Sequence, residues 1–335
     1  MYANTRLWFG CSLALAFTAL SGCTLDKKDD GADAFREAVP QSESVALSGP
    51  DSKGSSSTAA AGPSRRTLAS APLPYAKWYG FTREMRDGVN HVTGDVLFGV
   101  WKVIQTAPTT VGKDTAIWGP WLGDGLAAAR YRFRIERVGL DEYDYVLEGH
   151  PKASTSDSDF RAVLSGHGYG KLHVKHGQGQ FSIDLDVAKA LDPFGHETDS
   201  GSVTISHDLP HDFAENLGAL PRTITAAVTP AGDAHYTVES IAKQDFTGSI
   251  RVDAHVDIDD AKNTQLEDVV IESRWAKTGA GRADIAIAGG DLPSSIAMVD
   301  AVECWGNDFQ QSYYNDSVGF APTAGVASAC VYDSK

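Results

Sequence analysis

The sequence predicts a mainly β protein of the α+β class, in which one long N-terminal amphipathic helix precedes a large antiparallel sheet. Apolar residues from Trp78 to Val103 recur at spacings of three and four residues, which is the period of an α-helix. After Pro108, apolar and polar residues alternate, which is typical of strands with one buried and one solvated face. Helical crossovers between these strands are absent from the pattern, so a parallel sheet is excluded.

The first 22 residues are predicted to form a secretory signal peptide. Arg6 is followed by an apolar run from Leu7 to Leu20, which is too short to span a bilayer comfortably. Small residues then lead to a cysteine in Leu20-Ser21-Gly22-Cys23. The alternative is an ordinary signal peptide that is followed by an incidental cysteine.

This ending resembles the lipobox of bacterial lipoproteins. The resemblance implies that Cys23 carries an acyl chain such as palmitate on its sulfur, becomes the first residue of the mature protein and anchors it to a membrane. Thr24 follows the cysteine, where the family carries an aspartate in proteins that are retained at the inner membrane. The resemblance therefore implies a lipid-anchored protein of the cell envelope, sorted to the outer membrane of a Gram-negative bacterium.

Residues 23–74 are predicted to be a lipid-anchored disordered linker. They contain charged, Ser-, Gly-, Ala- and Pro-rich stretches and almost no periodic apolar residues. Such a segment does not bury enough apolar surface to offset the entropy that ordering costs. Residues 75–335 are then expected to form a single helix-plus-antiparallel-β domain.

The predicted helix begins at Lys77 and ends before Pro108. Gly80, Gly88, Gly94 and Gly99 weaken it by about 1 kcal/mol each relative to alanine, so it must depend on tertiary packing or break into two pieces. The glycines could also serve the close approach of another backbone. We interpret the apolar stripe as core rather than as a cofactor or membrane face.

About eleven short strands are predicted after the helix. They centre on residues 131–138, 143–148, 160–165, 181–187, 203–206, 222–228, 234–239, 250–258, 268–275, 282–288 and 296–305. We expect a curved sheet, an open barrel or half-barrel, with the helix on its concave side, and a β-sandwich is the alternative. An integral outer-membrane barrel is disfavoured because charged residues occur on nearly every strand.

The cysteines and the net charge restrict the chemistry. Cys11 lies in the signal peptide and Cys23 is the predicted lipid site, so Cys304 and Cys330 are expected to form one disulfide in an oxidising compartment. A reactive thiol or a metal-binding pair is the alternative. The formal net charge of −15 repels nucleic-acid phosphates, so no nucleic-acid partner is expected.

Several residues invite a site interpretation, but none has the spacing of a known motif. The histidines considered as metal ligands are His173, His176, His207 and His211. The acidic candidates are Asp184 with Asp186, the row Asp253, His255 and Asp257, and a calcium-loop-like run from Asp257 to Asp268. We expect surface histidines, salt-bridged faces and a polar hairpin tip, and therefore no metal, no cofactor and no recognisable catalytic residue.

Aromatic residues in Trp118-Gly119-Pro120-Trp121 and from Trp305 to Tyr314 are the remaining candidates. They are expected to close one end of the domain against the disulfide or, alternatively, to form a sugar- or lipid-binding lip.

Three functions remain open for this protein. The first is a binding or structural lipoprotein without a catalytic site, whose partner is an envelope protein or an apolar ligand. The second is a carrier of a lipid between helix and sheet, similar in outline to the periplasmic lipoprotein carriers. The third is a hydrolase with a dispersed site.

Overall fold

The computed structural model describes residues 30–50, 75–122, 128–170, 177–193, 196–197, 199–209, 221–258 and 265–333. Within these residues fifteen strands form one open antiparallel sheet, whose strand order follows the chain order from the first strand to the last. The strands are β1 (Thr110–Val111), β2 (Thr115–Leu122), β3 (Ala129–Gly139), β4 (Glu142–Pro151), β5 (Arg161–Tyr169), β6 (Gly177–Asp184), β7 (Ser202–Leu209), β8 (Arg222–Thr229), β9 (His235–Ala242), β10 (Gly248–Val256), β11 (Glu267–Trp275), β12 (Gly281–Gly289), β13 (Met298–Trp305), β14 (Gln311–Asp316) and β15 (Ala324–Gly325). The mainly β class is therefore confirmed, with one sheet rather than two.

Three α-helices accompany the described part of the sheet: α1 (Asp33–Glu37), α2 (Lys77–Ile104) and α3 (Leu185–Leu191). Helix α2 carries the predicted apolar stripe, and its members Met85, Val92 and Val96 are at most 1% exposed. This helix is not the N-terminal element of the fold, because α1 precedes it. The prediction of a long N-terminal helix is corrected in that respect.

The strand predictions hold for β3–β13, with one correction. The alternation from Phe181 to Val187 does not continue as a strand beyond Asp184, because the Asp184 carboxylate accepts the Val187 N–H at 2.9 Å and caps α3. Four strands were not predicted, namely β1, β2, β14 and β15. Two of them are only two residues long, and β2 contains Gly119-Pro120, a pair that normally indicates a turn.

Residues 30–50 are folded, which corrects the prediction of a disordered linker for this part of the 23–74 segment. Phe35, Val45 and Leu47 are at most 2% exposed. The Asn90 side-chain oxygen accepts the Leu47 N–H at 2.8 Å, and its amide nitrogen donates to the Leu47 carbonyl at 3.0 Å. Residues 23–29 and 51–74 lie outside the described residues.

The chain divides into two compact units. Unit 1 comprises the described residues within Met1–Leu47 and Asp87–Glu239, and unit 2 those within Ser48–Arg86 and Ser240–Lys335. Within each unit the strands alternate between buried and more exposed side chains. We call the buried side the inner face and the other side the outer face. A single domain over residues 75–335 stays a prediction.

Aromatic rings cover glycines on the inner face of each unit. In unit 1 the Tyr145 ring lies over its cross-strand partner Gly166, where a Cβ would come within 2.4 Å of the ring. In unit 2 the Trp305 indole lies over its partner Gly281 at a corresponding distance of 2.3 Å. These glycines are required because the ring occupies the volume that a side chain would fill.

The N-terminus of α2, in unit 2, is capped by a distant carboxylate. Glu303 on β13 accepts the backbone N–H groups of Lys77 at 2.7 Å, Trp78 at 2.8 Å and Tyr79 at 3.1 Å. The first turn of a helix has free N–H groups and the positive end of the dipole, so an acceptor here is favourable. Glu303 is 0% exposed, and burial raises its pKa to about 7, although the three N–H groups act to lower the pKa.

The C-terminus of α2, in unit 1, receives a cation. Arg36 donates from Nε to the Ile104 carbonyl at 2.6 Å and from Nη2 to the Thr106 carbonyl at 3.1 Å. It also forms a salt bridge with Asp30 at 2.5 Å, and the hydrogen bond from Arg36 lowers the pKa of Asp30. A guanidinium at this end satisfies free carbonyls and complements the helix dipole.

The predicted disulfide joins Cys304 on β13 to Cys330, with the two Cα atoms 5.4 Å apart. Cys304 belongs to the outer face, yet it is 0% exposed. Arg282, its cross-strand partner, donates to the Tyr332 carbonyl at 3.1 Å and pairs with Asp284 at 2.6 Å. The C-terminal segment is therefore bound to the outer face of unit 2 by a covalent bond and by the hydrogen bond from Arg282.

Candidate functional site

A groove of about 560 Å³ opens on the outer face of unit 1, over strands β3–β6. Two outward-pointing side chains come from each strand. They are Arg134 and Glu136, Asp144 and Val146, Ser165 and His167, and Gln180 and Ser182. Seven of these eight side chains carry hydrogen-bonding groups, and apolar atoms also contribute to the surface of the groove.

The strand register arranges these side chains in two rows that cross the sheet. In the first row Glu136 pairs with Asp144, Asp144 with His167, and His167 with Gln180. All residues in a row point to the same face of the sheet, because side chains along each strand alternate between the two faces and paired residues share a face.

The second row begins with Arg134, which pairs with Val146, and continues with shorter side chains. Val146 pairs with Ser165, and Ser165 pairs with Ser182. The Ser182 hydroxyl lies 2.8 Å from the hydroxyl of Thr204 on β7. Because Val146, Ser165 and Ser182 are short, they form a floor beside the longer side chains of the first row.

His167, a member of the first row, lies between two carboxylates, those of Asp144 and Glu142. Its Nδ1 lies 2.7 Å from Asp144 Oδ1, and its Nε2 lies 3.2 Å from Glu142 Oε1. The His167 side chain is 51% exposed, so these two contacts are open to solvent and contribute little to stability. Their effect is to fix the orientation of the ring.

This arrangement does not assemble a nucleophile–base pair. Ser165 lies two residues before His167 on the same face of β5. Both ring nitrogens of His167 lie near a carboxylate oxygen, Nδ1 at 2.7 Å from Asp144 and Nε2 at 3.2 Å from Glu142, and among the described residues neither forms a hydrogen bond with Ser165.

The acidic candidates from the sequence have local structural partners. The Asp186 carboxylate accepts the Gly201 N–H at 3.0 Å, and Asp184 caps α3, so these two carboxylates do not form a pair. On β10, Asp253 pairs with Arg251 at 2.8 Å, and His255 pairs with Asp268 at 2.8 Å. The expectation of a salt-bridged face is confirmed there.

The histidine candidates are not brought together by the described residues. His207 is buried on the inner face rather than exposed, and burial, with a smaller effect from Arg222, lowers its pKa to about 4. Its neighbour in sequence, His211, and the pair His173 and His176 lie outside the described residues. Within the described part of the chain, no group of three or more His, Cys, Asp or Glu side chains has a geometry that could hold a metal ion.

The tryptophans and tyrosines of the aromatic segments lie in strands, whereas Phe309 lies in the turn between β13 and β14. Trp118 on β2 and Trp305 on β13 are 1% exposed, and each indole N–H donates to a backbone carbonyl, that of Thr106 and of Gly279 respectively, at 3.0 Å. Tyr79 stacks on Trp305 with ring centroids 4.7 Å apart. These two tryptophans are core residues, which agrees with packing and not with an exposed binding lip.

Cys23 lies outside the described residues, so the lipid site stays a prediction. In the described ranges we find no helix with the length and apolar character that crossing a bilayer requires. The groove over β3–β6 was missed by sequence reasoning, because its residues lie on four different strands. The only sign of the groove in the sequence is the set of polar residues that alternate with apolar ones along each strand. These residues indicate a solvated face, but they do not reveal which residues of neighbouring strands pair with each other.

Comparisons with protein-family models, with curated proteins and with solved structures gave no match for this chain.

Proposed function

We propose that this protein is a lipid-anchored envelope lipoprotein with a binding role, and that the groove over β3–β6 binds a polar, hydroxyl-rich ligand such as a saccharide. The observation that carries the proposal is the lining of the groove. Carboxylates, an imidazole, a guanidinium, an amide and two serine hydroxyls converge on about 560 Å³, a volume within the usual range of small-molecule sites.

The charges of the groove favour a ligand that is not an anion. Glu136 and Asp144 line it and Glu142 lies beside it, whereas Arg134 is already paired with Glu136 at 3.3 Å. Ligand hydroxyls can donate to these carboxylates and accept from Gln180. A hydroxyl-rich ligand therefore matches the lining better than a phosphate or an acyl chain.

The anchor is proposed from Leu20-Ser21-Gly22-Cys23 and the apolar run before it. Metabolic labelling with palmitate tests it in cells that express the wild type or the Cys23→Ser variant. We expect label on the wild type alone. Equal labelling of both proteins, or none on either, would show that Cys23 is not acylated.

Binding is tested by calorimetric titration with a panel of envelope saccharides. The Ser165→Leu variant places an apolar side chain on the groove floor and is expected to weaken binding at least tenfold. Ser249→Leu, at an outer-face position of β10, is the matched control and should bind like the wild type. Binding that survives Ser165→Leu unchanged would place the ligand elsewhere.

The carrier hypothesis predicts a different result. It requires an apolar ligand between helix and sheet, and native mass spectrometry of the protein purified from membranes should then detect a bound lipid. The finer fold prediction, a half-barrel with the helix on its concave side, belongs to this hypothesis. A protein without bound lipid would leave the polar groove as the proposed site.

A further inference from the structure

The tether between the predicted lipid site and the folded body is short. Asp30 is the first described residue, and it follows Cys23 by 30 − 23 = 7 positions. Because an extended chain spans at most about 3.6 Å per residue, seven residues reach no farther than about 25 Å. If Cys23 is acylated, as proposed above, the surface of unit 1 around Asp30 lies close to the bilayer.

Asp30 lies at the C-terminal end of α2. It pairs with Arg36, which donates to the carbonyl of Ile104, the last residue of the helix. The next residue, Gly31, lies beside β1, since a Cβ on Gly31 would be 3.7 Å from Val111 Cγ1. The chain therefore enters unit 1 between the end of α2 and β1.

This end of α2 exposes aromatic residues to solvent. Phe98 is 51% exposed and Trp101 is 37% exposed, and their rings stack with centroids 6.2 Å apart. The Lys102 ammonium lies 4.4 Å from the centroid of the Phe98 ring. Val111, beside Gly31, is 39% exposed.

The exposed face of α2 changes character along the helix. Asp87, His91 and Asp95 occupy solvent-facing positions in the preceding turns, and His91 Nε2 lies 3.6 Å from Asp95 Oδ2. Phe98 and Trp101 continue this face toward the C-terminus. Apolar exposure is thus confined to the turns nearest to Asp30.

We propose that Phe98, Trp101, Lys102 and Val111 form a membrane-docking patch that lies in the headgroup region of the phospholipid bilayer. Tryptophan has an apolar body with a polar N–H, and lysine keeps its ammonium in the polar layer while its stem lies along apolar surface. The occupant is a lipid surface because the tether holds Asp30 within about 25 Å of Cys23, and Asp30 is linked through Arg36 to Ile104 at the end of the helix that carries Phe98 and Trp101. The net charge of −15 opposes docking on anionic lipid by charge alone, so the aromatic contacts must supply the attraction.

The patch has a physical role beside the anchor. The patch would orient unit 1, so that the lipid-anchored body does not tumble freely above the surface.

The test uses the full-length, palmitate-labelled protein in vesicles of phosphatidylethanolamine and phosphatidylglycerol with brominated acyl chains, which quench nearby indoles. We expect the quenched fraction of tryptophan fluorescence to fall in Trp101→Phe and in the double variant Phe98→Ser/Trp101→Ser. Leu140→Ser removes an apolar side chain that is 88% exposed at the β3–β4 turn of unit 1, and it is the matched control with quenching like the wild type.

The outcomes separate this proposal from the anchor itself. Labelled protein whose quenching is unchanged by Trp101→Phe would overturn the docking patch and leave the anchor standing. Protein without label would overturn the anchor, and with it the reason for placing the patch at a membrane. Circular dichroism of each variant verifies that the fold is retained, and Trp101→Phe keeps an aromatic ring for this reason.

Discussion

Glu303 is expected to make the stability of unit 2 depend on pH in a direction opposite to acid denaturation. Its carboxyl group is 0% exposed and accepts three N–H groups at the start of α2. Burial raises the pKa of Glu303 from 4.5 to about 7, so the folded state binds the proton more tightly than the unfolded state does. We consider the variant Glu303→Gln, which keeps the shape of the side chain and removes its ionisation.

The magnitude follows from the shift in pKa. One pKa unit corresponds to about 1.4 kcal/mol, so a shift from 4.5 to about 7 corresponds to roughly 3 kcal/mol. Because the pKa is raised on folding, this stabilisation is fully present below pH 4.5 and is lost as the pH rises through about 7. The free energy of unfolding should therefore fall by roughly 3 kcal/mol across this window in the wild type, relative to Glu303→Gln.

Urea unfolding at a series of pH values between 4 and 8 measures the difference. Glu84→Gln, which removes an exposed carboxyl group from the same helix, is the matched control for the loss of one negative charge. The reasoning is refuted if the stability difference between the wild type and Glu303→Gln is constant over this window, or if the wild type gains stability relative to Glu303→Gln as the pH rises. Either result would mean that the three N–H groups and the helix N-terminus outweigh burial and keep Glu303 ionised.

Three further predictions concern glycines and one buried hydroxyl. Gly80→Ala and Gly94→Ala should each raise the free energy of unfolding by about 0.5–1 kcal/mol in urea titrations, because nothing lies within 4 Å of the added Cβ and alanine favours the helix. Gly281→Ala should lower the melting temperature, because its Cβ would lie 2.3 Å from the Trp305 ring; an unchanged value would mean that the ring moves at little cost. Tyr145→Phe should leave the stability unchanged or raise it, because the buried Tyr145 hydroxyl has no hydrogen-bond partner among the described residues, whereas a clear loss would reveal such a partner.

The sequence predicted elements better than it predicted the contacts between distant residues. The 3.6-residue stripe of α2 and the alternation of β3–β13 are local patterns, and the structure contains both. The strand β2 was missed because Gly119-Pro120 indicates a turn, although Trp118 and Trp121 pair with β3 on either side of it. Local composition failed most clearly at residues 30–50, since a few apolar residues such as Phe35 become buried only against distant parts of unit 1.

The same limit applies to the candidate sites. Glu303 and Lys77 are far apart in sequence, and no local pattern indicates that one caps the helix that the other begins. The groove of unit 1 depends on the register of β3–β6, which alternation alone does not determine because each strand could be shifted by two residues without changing its buried face. The disulfide could be predicted because only Cys304 and Cys330 remained once the other cysteines had been assigned.

The order of the strands has a consequence for how this protein avoids association with itself. An open sheet has two edges, and unpaired edge groups can recruit strands of other molecules. Among the described residues the outermost strands, β1 and β15, are each two residues long. β1 pairs with Ala116 and Ile117 of β2. The rest of β2 contains Pro120, which has no N–H that could pair with a new strand. Short edges of this kind give an incoming strand few groups to pair with, so this long sheet is protected against edge-to-edge aggregation at high local concentration.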